Sequence, residues 1–415
     1  MTPATQNPSA LDPGSATNER QQMVDALRGF ALMGILVVNI ASFASTYYAL
    51  GIPDPLGTSL PDQIASFVRA FVFETKFYLL FSFLFGYSFT LQMRAAERDG
   101  KPFVPRMVRR HLGLWIIGVA HAVLLYFGDI LMAYAVLGAV LLMLRRRGDV
   151  FLACAAIGLV LLTSLLWARV GSMYSQLDMQ MAVQAAYGEA AAALAAYRAT
   201  PAMVAVQHVR DLSQTWWMTA LVQAPEALAM FFLGFIAGRR GLLAHVEAHR
   251  TLLWRVLWWG LAIGLPGALA YALPTLRPNA VREVQGLAVT LLTAPFLSAA
   301  YAAGMLLVFQ SGRGSVLARA LAPAGRMALS NYLLQSLVCA WIFLAYGLRW
   351  IGTIGPLATF AVALAIFAGN LLLSWWWMRR FAYGPAEWLL RAFTNLRLPP
   401  MRRNRHAAQR GGAAS

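Results

Sequence analysis

One histidine, a few carboxylates and a few arginines stand inside or at the ends of long apolar runs, where an ionisable side chain costs roughly 3 kcal/mol on insertion scales. Each needs a partner, an aqueous cavity or a chemical task. The sharpest is His121, followed after an apolar stretch by Gly128 and Asp129. The connection is short enough for the next helix to fold the Asp129 carboxylate back toward the imidazole. Such a pair fixes the histidine tautomer and stabilises its protonated form, as a general base requires. A plainer reading stands beside it: Asp129 caps the next helix and His121 bonds to a neighbouring one.

Glu74 and Lys76, in Phe73-Glu74-Thr75-Lys76-Phe77, and Glu226 in a later run are candidates for binding a substrate. Glu74 and Lys76 are two apart, so on a helix they do not face each other and each looks elsewhere for a partner. They fall at the same end of the bundle as Asp129, so a polar cavity shared with it is conceivable, although a lysine at a span end also snorkels. Toward the other end, Asp25 and Arg28 begin one run and Arg326 another, and guanidinium forks suit the phosphates of a cytosolic donor. As topology anchors the same arginines need no ligand. Asn39, Asn331 and Asn370 add uncharged polar groups, and Arg106, Arg109 and Arg110 form a basic stretch suited to anionic lipid.

The elements that must position these residues are membrane helices. The chain has 415 residues, 59% hydrophobic and only 12% charged, with a mean hydropathy of +0.59. A soluble domain runs near a quarter charged, so the composition predicts an all-α polytopic bundle. Ten apolar helices are expected near residues 24–48, 73–93, 109–127, 129–145, 150–169, 216–238, 251–273, 284–310, 327–347 and 354–379. With those spans, 26 Lys and Arg fall on one side and 8 on the other, which places both termini in the cytoplasm. The net charge of +17 therefore belongs to loops rather than to a nucleic-acid site. His121 then lies about 10 Å, two helical turns, below the outer end of its helix.

Three domain-level expectations follow: a disordered polar tail over 1–22, a transmembrane domain over 23–395, and a basic disordered tail over 396–415. The long outer connection over 170–215 is Ala-rich; it covers the outer mouth as amphipathic helices or forms an idle surface helix. Cys154 and Cys339 both sit in apolar runs, so no disulfide or cysteine metal site is expected. No repeat relates the two halves, which weighs against the commonest transporter designs.

Five stretches carry a family resemblance. They are Asp25-Ala-Leu-Arg-Gly-Phe-Ala-Leu-Met-Gly-Ile-Leu-Val-Val-Asn39, Glu74-Thr-Lys-Phe-Tyr-Leu-Leu-Phe-Ser-Phe-Leu-Phe-Gly86 and Gly128-Asp-Ile-Leu-Met-Ala-Tyr134. Then come Gly325-Arg-Met-Ala-Leu-Ser-Asn-Tyr-Leu-Leu-Gln-Ser336 and Gly384-Pro-Ala-Glu-Trp-Leu-Leu-Arg391. In order and together they resemble the YeiB-like bacterial membrane proteins bearing domain of unknown function 418. That family looks like a branch of the transmembrane acyltransferases, with the heparan-glucosaminide N-acetyltransferase-like and acyltransferase-3 proteins. The resemblance implies a bacterial inner-membrane enzyme that passes an acyl group from cytosolic acyl-CoA, acetyl-CoA foremost, to an acceptor on the far side, often a sugar or glycan. Acyltransferase-3 proteins follow a first-span Arg by a His eleven positions later. Here Arg28 is followed at that position by Asn39, and an amide cannot take up a proton at neutral pH. His121 is then the available base.

The expected scheme has Arg28 and Arg326 holding the donor, His121 oriented by Asp129 as base, and Asn39 or Asn331 donating to the developing oxyanion. Glu74, Lys76 and Glu226 bind the acceptor. No metal and no nucleic acid are called for, the bilayer is the constant partner, and a homodimer is admissible. A transporter or exporter using the same groups as a substrate or proton path is the second class. A scaffold is the third.

Overall fold

The computed structural model describes residues 13–402, apart from 101, 175–178, 245 and 278. Among these the chain is helical, with one isolated bridge between Phe381 and Arg402. The order begins α1 (Pro13–Ala44), α2 (Thr46–Ala49), α3 (Leu60–Val68), α4 (Lys76–Arg98), α5 (Phe103–Leu124) and α6 (Leu131–Leu144). It continues α7 (Asp149–Tyr174), α8 (Met179–Ala199), α9 (Pro201–Met218), α10 (Ala224–Arg239) and α11 (Arg250–Ala272). It ends α12 (Ala280–Phe309), α13 (Gly312–Arg326), α14 (Ala328–Phe343), α15 (Pro356–Arg380) and α16 (Pro385–Asn395).

Each of the ten expected apolar segments falls on helix. Six stretches are long and apolar enough to cross a bilayer: Gln21–Ala44, Asp149–Met173, Pro201–Arg239, Arg250–Thr275, Val281–Phe309 and Pro356–Arg380. The helices α6 and α14 are apolar but shorter, and α4 and α5 are long but less apolar. The outward faces fit lipid. Leu162 and Leu165 on α7, Trp258 and Trp259 on α11, and Leu372 and Trp375 on α15 are all exposed, an apolar surface a soluble protein does not carry. The chain is a multi-pass helical membrane protein.

At the centre lies α1, packed against α4, α13, α14 and α15. Its closest neighbour is α13, a helix in a segment that the sequence reading treats as a basic loop. Its buried face, Gly314, Ala318, Leu321, Ala322 and Gly325, is mostly glycine and alanine, and the exposed Arg313, Arg319 and Arg326 opposite make the stretch read as a charged connection. The small residues let two backbones meet, since a Cβ at Gly325 would overlap the Asp25 carbonyl and one at Gly29 the Leu321 carbonyl. This contact sets Arg326, the last residue of α13, close to Asp25 of α1.

The N-terminal boundary differs from expectation. Helix α1 begins at Pro13, inside the tail expected over 1–22: Glu19, Arg20, Gln21 and Gln22 are good helix formers that continue the register of the span, and a proline is tolerated in a first turn. Residues 1–12 and 403–415 lie outside the described residues. The 170–215 segment continues α7 and then folds as the α8/α9 hairpin, which covers the end of the bundle. Thr46 Oγ1 donates to the Ala190 carbonyl, Arg198 donates to the Ile351 carbonyl, and Val204 and His208 are buried.

Candidate functional site

Helices α1 and α4 frame the site. On α1, Arg28, Ile35, Asn39 and Ser42 are half-buried and share one face. On α4, Tyr78, Phe81, Phe85 and Ser88 do the same. The two faces meet where Arg28 Nη2 donates to Ser88 Oγ at 2.6 Å, and Ile35 and Phe81 pack against both of the two main cores. Between Arg28 and Asn39 the helix rises about 16 Å, so a seam of aliphatic and aromatic groups joins the arginine-rich end to mid-bundle.

His121, on α5, lies deep in the bundle. Its Nδ1 is 2.8 Å from Asp129 Oδ1, and both side chains are 1% exposed or less. Asp129 Oδ2 accepts the Met132 N–H at 2.8 Å and so caps the first turn of α6. The two sequence readings of Asp129 therefore hold at once, because a carboxylate has an oxygen for each. Since Nδ1 faces a carboxylate, the proton sits on Nδ1, and Nε2 is left as the basic nitrogen. Nε2 is enclosed and has no hydrogen-bond partner, with the Tyr332 ring 4.8 Å and the Tyr126 ring 6.2 Å from the imidazole. A buried lone pair without a donor costs about 1–3 kcal/mol, which a reacting hydroxyl would relieve.

At the arginine-rich end, Arg28 Nη1 meets Asp25 Oδ1 at 2.5 Å. Arg326 is exposed and its charge acts on Asp25. Arg110, read from the sequence as lipid-facing, joins this cluster: its Nε is enclosed without a partner, and the charges of Arg28, Glu387 and Arg391 act on it. Glu387 comes from a motif whose role was not legible. Its carboxylate takes the Leu329 N–H at 2.7 Å, the Ser330 N–H at 3.2 Å and the Ser330 hydroxyl at 2.5 Å, capping α14. Burial pushes the Glu387 carboxyl above its ordinary range, against the pull of those donors. Four arginines against two carboxylates leave this end with positive charge for an anion.

Glu74 and Lys76 sit at a helix break. A π turn over Arg69–Phe73 ends at Glu74 in extended conformation, and Thr75 is left-handed (φ 69°) before α4 starts. Glu74 accepts from Tyr48 (3.0 Å), Arg69 Nε (3.0 Å) and Tyr271 (2.8 Å). Lys76 is fully buried and does not snorkel, its Nζ donating to the Ala70 carbonyl at 2.9 Å. Glu74 and Asp129 share no hydrogen-bond partner among the described residues. The break in the helix turns Glu74 toward Tyr271 of α11.

Asn331 does not fit the oxyanion role. Its Nδ2 donates to the Ala324 carbonyl at 3.0 Å and to Ser374 Oγ at 2.8 Å, so both protons are spent on helix joints. Asn39, on the seam, is left as the amide able to donate. Glu226 is fully buried with neither oxygen bonded, and its charge acts on Tyr78 of α4.

The sequence reading missed the contents of the hairpin. Asp211 accepts from Tyr197 at 2.5 Å and from Gln207 at 2.6 Å, and His208 Nδ1 is 3.1 Å from the Val123 carbonyl, two residues past His121. A cavity of about 30 Å³, roughly two waters, is lined there by Ser42, Phe127, Tyr197, Gln207 and Asp211. No Ala-rich pattern discloses this. Among the described residues no three His, Cys, Asp or Glu side chains gather as a metal site.

A bundle of apolar helices enclosing ionisable side chains such as His121, Asp129, Lys76 and Glu226 defines the class, a polytopic membrane protein with an internal polar site. Comparison with known proteins gives the family. The profile described as "Protein of unknown function (DUF418)" matches residues 237–397. A Bacillus subtilis (strain 168) protein, "Uncharacterized protein YxaH", is 34% identical over 411 residues, covering 95% of this chain and 98% of its own. Escherichia coli (strain K12) "Uncharacterized protein YeiB" is 28% identical, over 91% of this chain and 96% of its own. A Bacillus acidopullulyticus protein, "Uncharacterized 39.9 kDa protein in amylase 3'region", is 29% identical, over 94% and 98%. The chain belongs to the DUF418 family, and its relatives span the His121 half as well as the half that the profile matches. No solved structure matches it.

Proposed function

We propose that this chain is an integral membrane acyltransferase that moves an acyl group from cytosolic acyl-CoA to a hydroxyl or amine acceptor across the membrane. In this reading all ten helical segments cross, both termini are cytoplasmic, the protein resides in the bacterial inner membrane, and the arginine-rich end faces the donor. The observation that carries it is the buried His121–Asp129 pair, whose unpartnered Nε2 lies on a ring beside Tyr126, itself stacked on Phe43 of α1, the helix that carries Arg28. In this reading the arginine-rich end is the phosphate cradle, the α1–α4 seam the apolar path and His121 the base.

Arg28 and Arg110 receive the donor's phosphates, and Arg326 adds charge at the rim. The pantetheine and short acyl chain, acetyl foremost, lie along Ile35, Phe81 and Phe85. The acceptor, a sugar or other envelope metabolite, enters beneath the α8/α9 hairpin. His121 Nε2 takes its proton, the acceptor oxygen or nitrogen attacks the thioester carbonyl, and Asn39 donates to the oxyanion. Collapse breaks the C–S bond, and the leaving thiolate takes the proton from His121 Nε2, which restores the neutral base. The test is purified protein with acyl-CoA and candidate acceptors, following free thiol. Full activity in His121→Ala would remove the base from the scheme.

One observation favours transport as a second reading: besides the His121–Asp129 pair, Glu226 and Lys76 are fully buried ionisable groups, as a substrate or proton path requires. Substrate flux into sealed vesicles without consumption of acyl-CoA would support it.

A further inference from the structure

Lys76 is the first residue of α4 and has no exposed surface. Its ammonium has three protons and one protein acceptor, the Ala70 carbonyl. Among the described residues no carboxylate lies within ion-pair distance of it. Glu74, the nearest in sequence, is committed to Arg69, Tyr48 and Tyr271. The Tyr271 ring, 5.8 Å from Nζ, gives only a long cation–π contact. Arg69, Glu74 and Lys76 thus bring two cations and one carboxylate inside the bundle, with the unmatched cation at the positive end of a helix dipole.

The backbone adds a second, independent observation. Thr75, a β-branched residue, is held in the left-handed region (φ 69°), and its hydroxyl is enclosed without a partner. Conformations of this kind cost about 1–3 kcal/mol and gather at functional sites.

We infer that the break between the π turn and α4 binds an anionic group, a carboxylate or a phosphate, received by the Lys76 ammonium and the Thr75 hydroxyl. An anion there satisfies the spare ammonium protons, the helix end and the orphaned hydroxyl together. The site is separate from the arginine cluster at Arg28. Joined to the acyl-transfer reading, on which this extension rests, it makes the acceptor an acid-bearing molecule.

The test needs no acyl-CoA, so it stands apart from the fate of the transferase reading. Full-length protein in nanodiscs of zwitterionic lipid is titrated with inorganic phosphate and with succinate at constant ionic strength, reading heat and melting temperature. Saturable binding is expected, weakened at least tenfold in Lys76→Met and kept within about threefold in Lys76→Arg. Thr75→Val, nearly isosteric, weakens it severalfold and serves if Lys76→Met does not fold. Repeating the titration with phosphatidylglycerol in the disc separates the sources. Competition identifies a lipid headgroup as the natural anion, and none identifies a solute. Absence of saturable binding, or equal binding in wild type and both the Lys76→Met and Thr75→Val proteins, overturns the inference.

Discussion

Asp129 uses its two oxygens on two different helices: Oδ1 holds His121 Nδ1 on α5 and Oδ2 holds the Met132 N–H on α6, each at 2.8 Å. The histidine is therefore oriented by the same side chain that fixes where the next helix starts, and the tautomer is tied to the fold.

This relationship separates the variants at the pair. His121→Gln removes the base and is expected to lower acyl transfer by about a hundredfold or more, the range of general acid–base catalysis. Asp129→Asn retains the shape but loses the charge that stabilises imidazolium, so kcat falls strongly while KM for acyl-CoA barely moves. Steady-state thiol release over both variants checks this. A loss confined to KM would assign Asp129 to the fold alone.

Arg110 offers a test of where the donor's phosphates sit. A charge-assisted hydrogen bond is worth about 1.5–3 kcal/mol, so Arg110→Gln is expected to raise KM for acyl-CoA roughly ten- to hundredfold. An acyl-pantetheine without phosphates gains nothing from the guanidinium, and wild type and variant should use it alike. Equal losses with both donors would move the phosphate site away from Arg110.

The helices were legible because apolar runs of about twenty residues have few alternatives. The His121–Asp129 meeting was legible because eight residues with one glycine allow little but a fold-back. What escaped shares a physical cause. Arg110 looks like its neighbour Arg109, yet Arg109 Nε donates to the Thr394 carbonyl while Arg110 turns toward Glu387 and Arg28. Only tertiary packing separates two adjacent arginines. Helix α13 packs through glycine and alanine, small residues whose weak hydrophobicity leaves its three exposed arginines as the dominant signal. The Tyr197–Asp211–Gln207 group depends on how an Ala-rich hairpin docks, and alanine fits many registers.

Packing of α13 on α1 makes its own prediction. At Gly325 a Cβ meets the Asp25 backbone, so Gly325→Ala is expected to destabilise by about 1–3 kcal/mol, as overpacking does. Gly158 on α7 and Gly369 on α15 have nothing within 4 Å of a Cβ, and there alanine is expected to stabilise by about 0.5–1 kcal/mol. Thermal unfolding in one detergent ranks the three. A Gly325→Ala protein as stable as wild type would mean the two helices can part without cost.

Glu387 predicts a pH dependence whose sign follows from its surroundings. Burial raises this carboxyl in the folded protein, so the unfolded chain ionises first as pH rises. The proton that the fold retains is a source of stability below the unfolded carboxylate pKa, and that stability is lost as pH rises through the folded value. Glu387→Gln cannot ionise and is free of this effect. The melting temperature of wild type minus that of Glu387→Gln should therefore fall as pH is taken from about 4.5 to 7. A rising difference would mean that the Leu329 and Ser330 donors outweigh burial and hold the carboxylate ionised at the start of α14. In that case its negative charge would be available to the Arg28 and Arg110 cluster, and the anion-binding excess at that end would be smaller than four arginines imply.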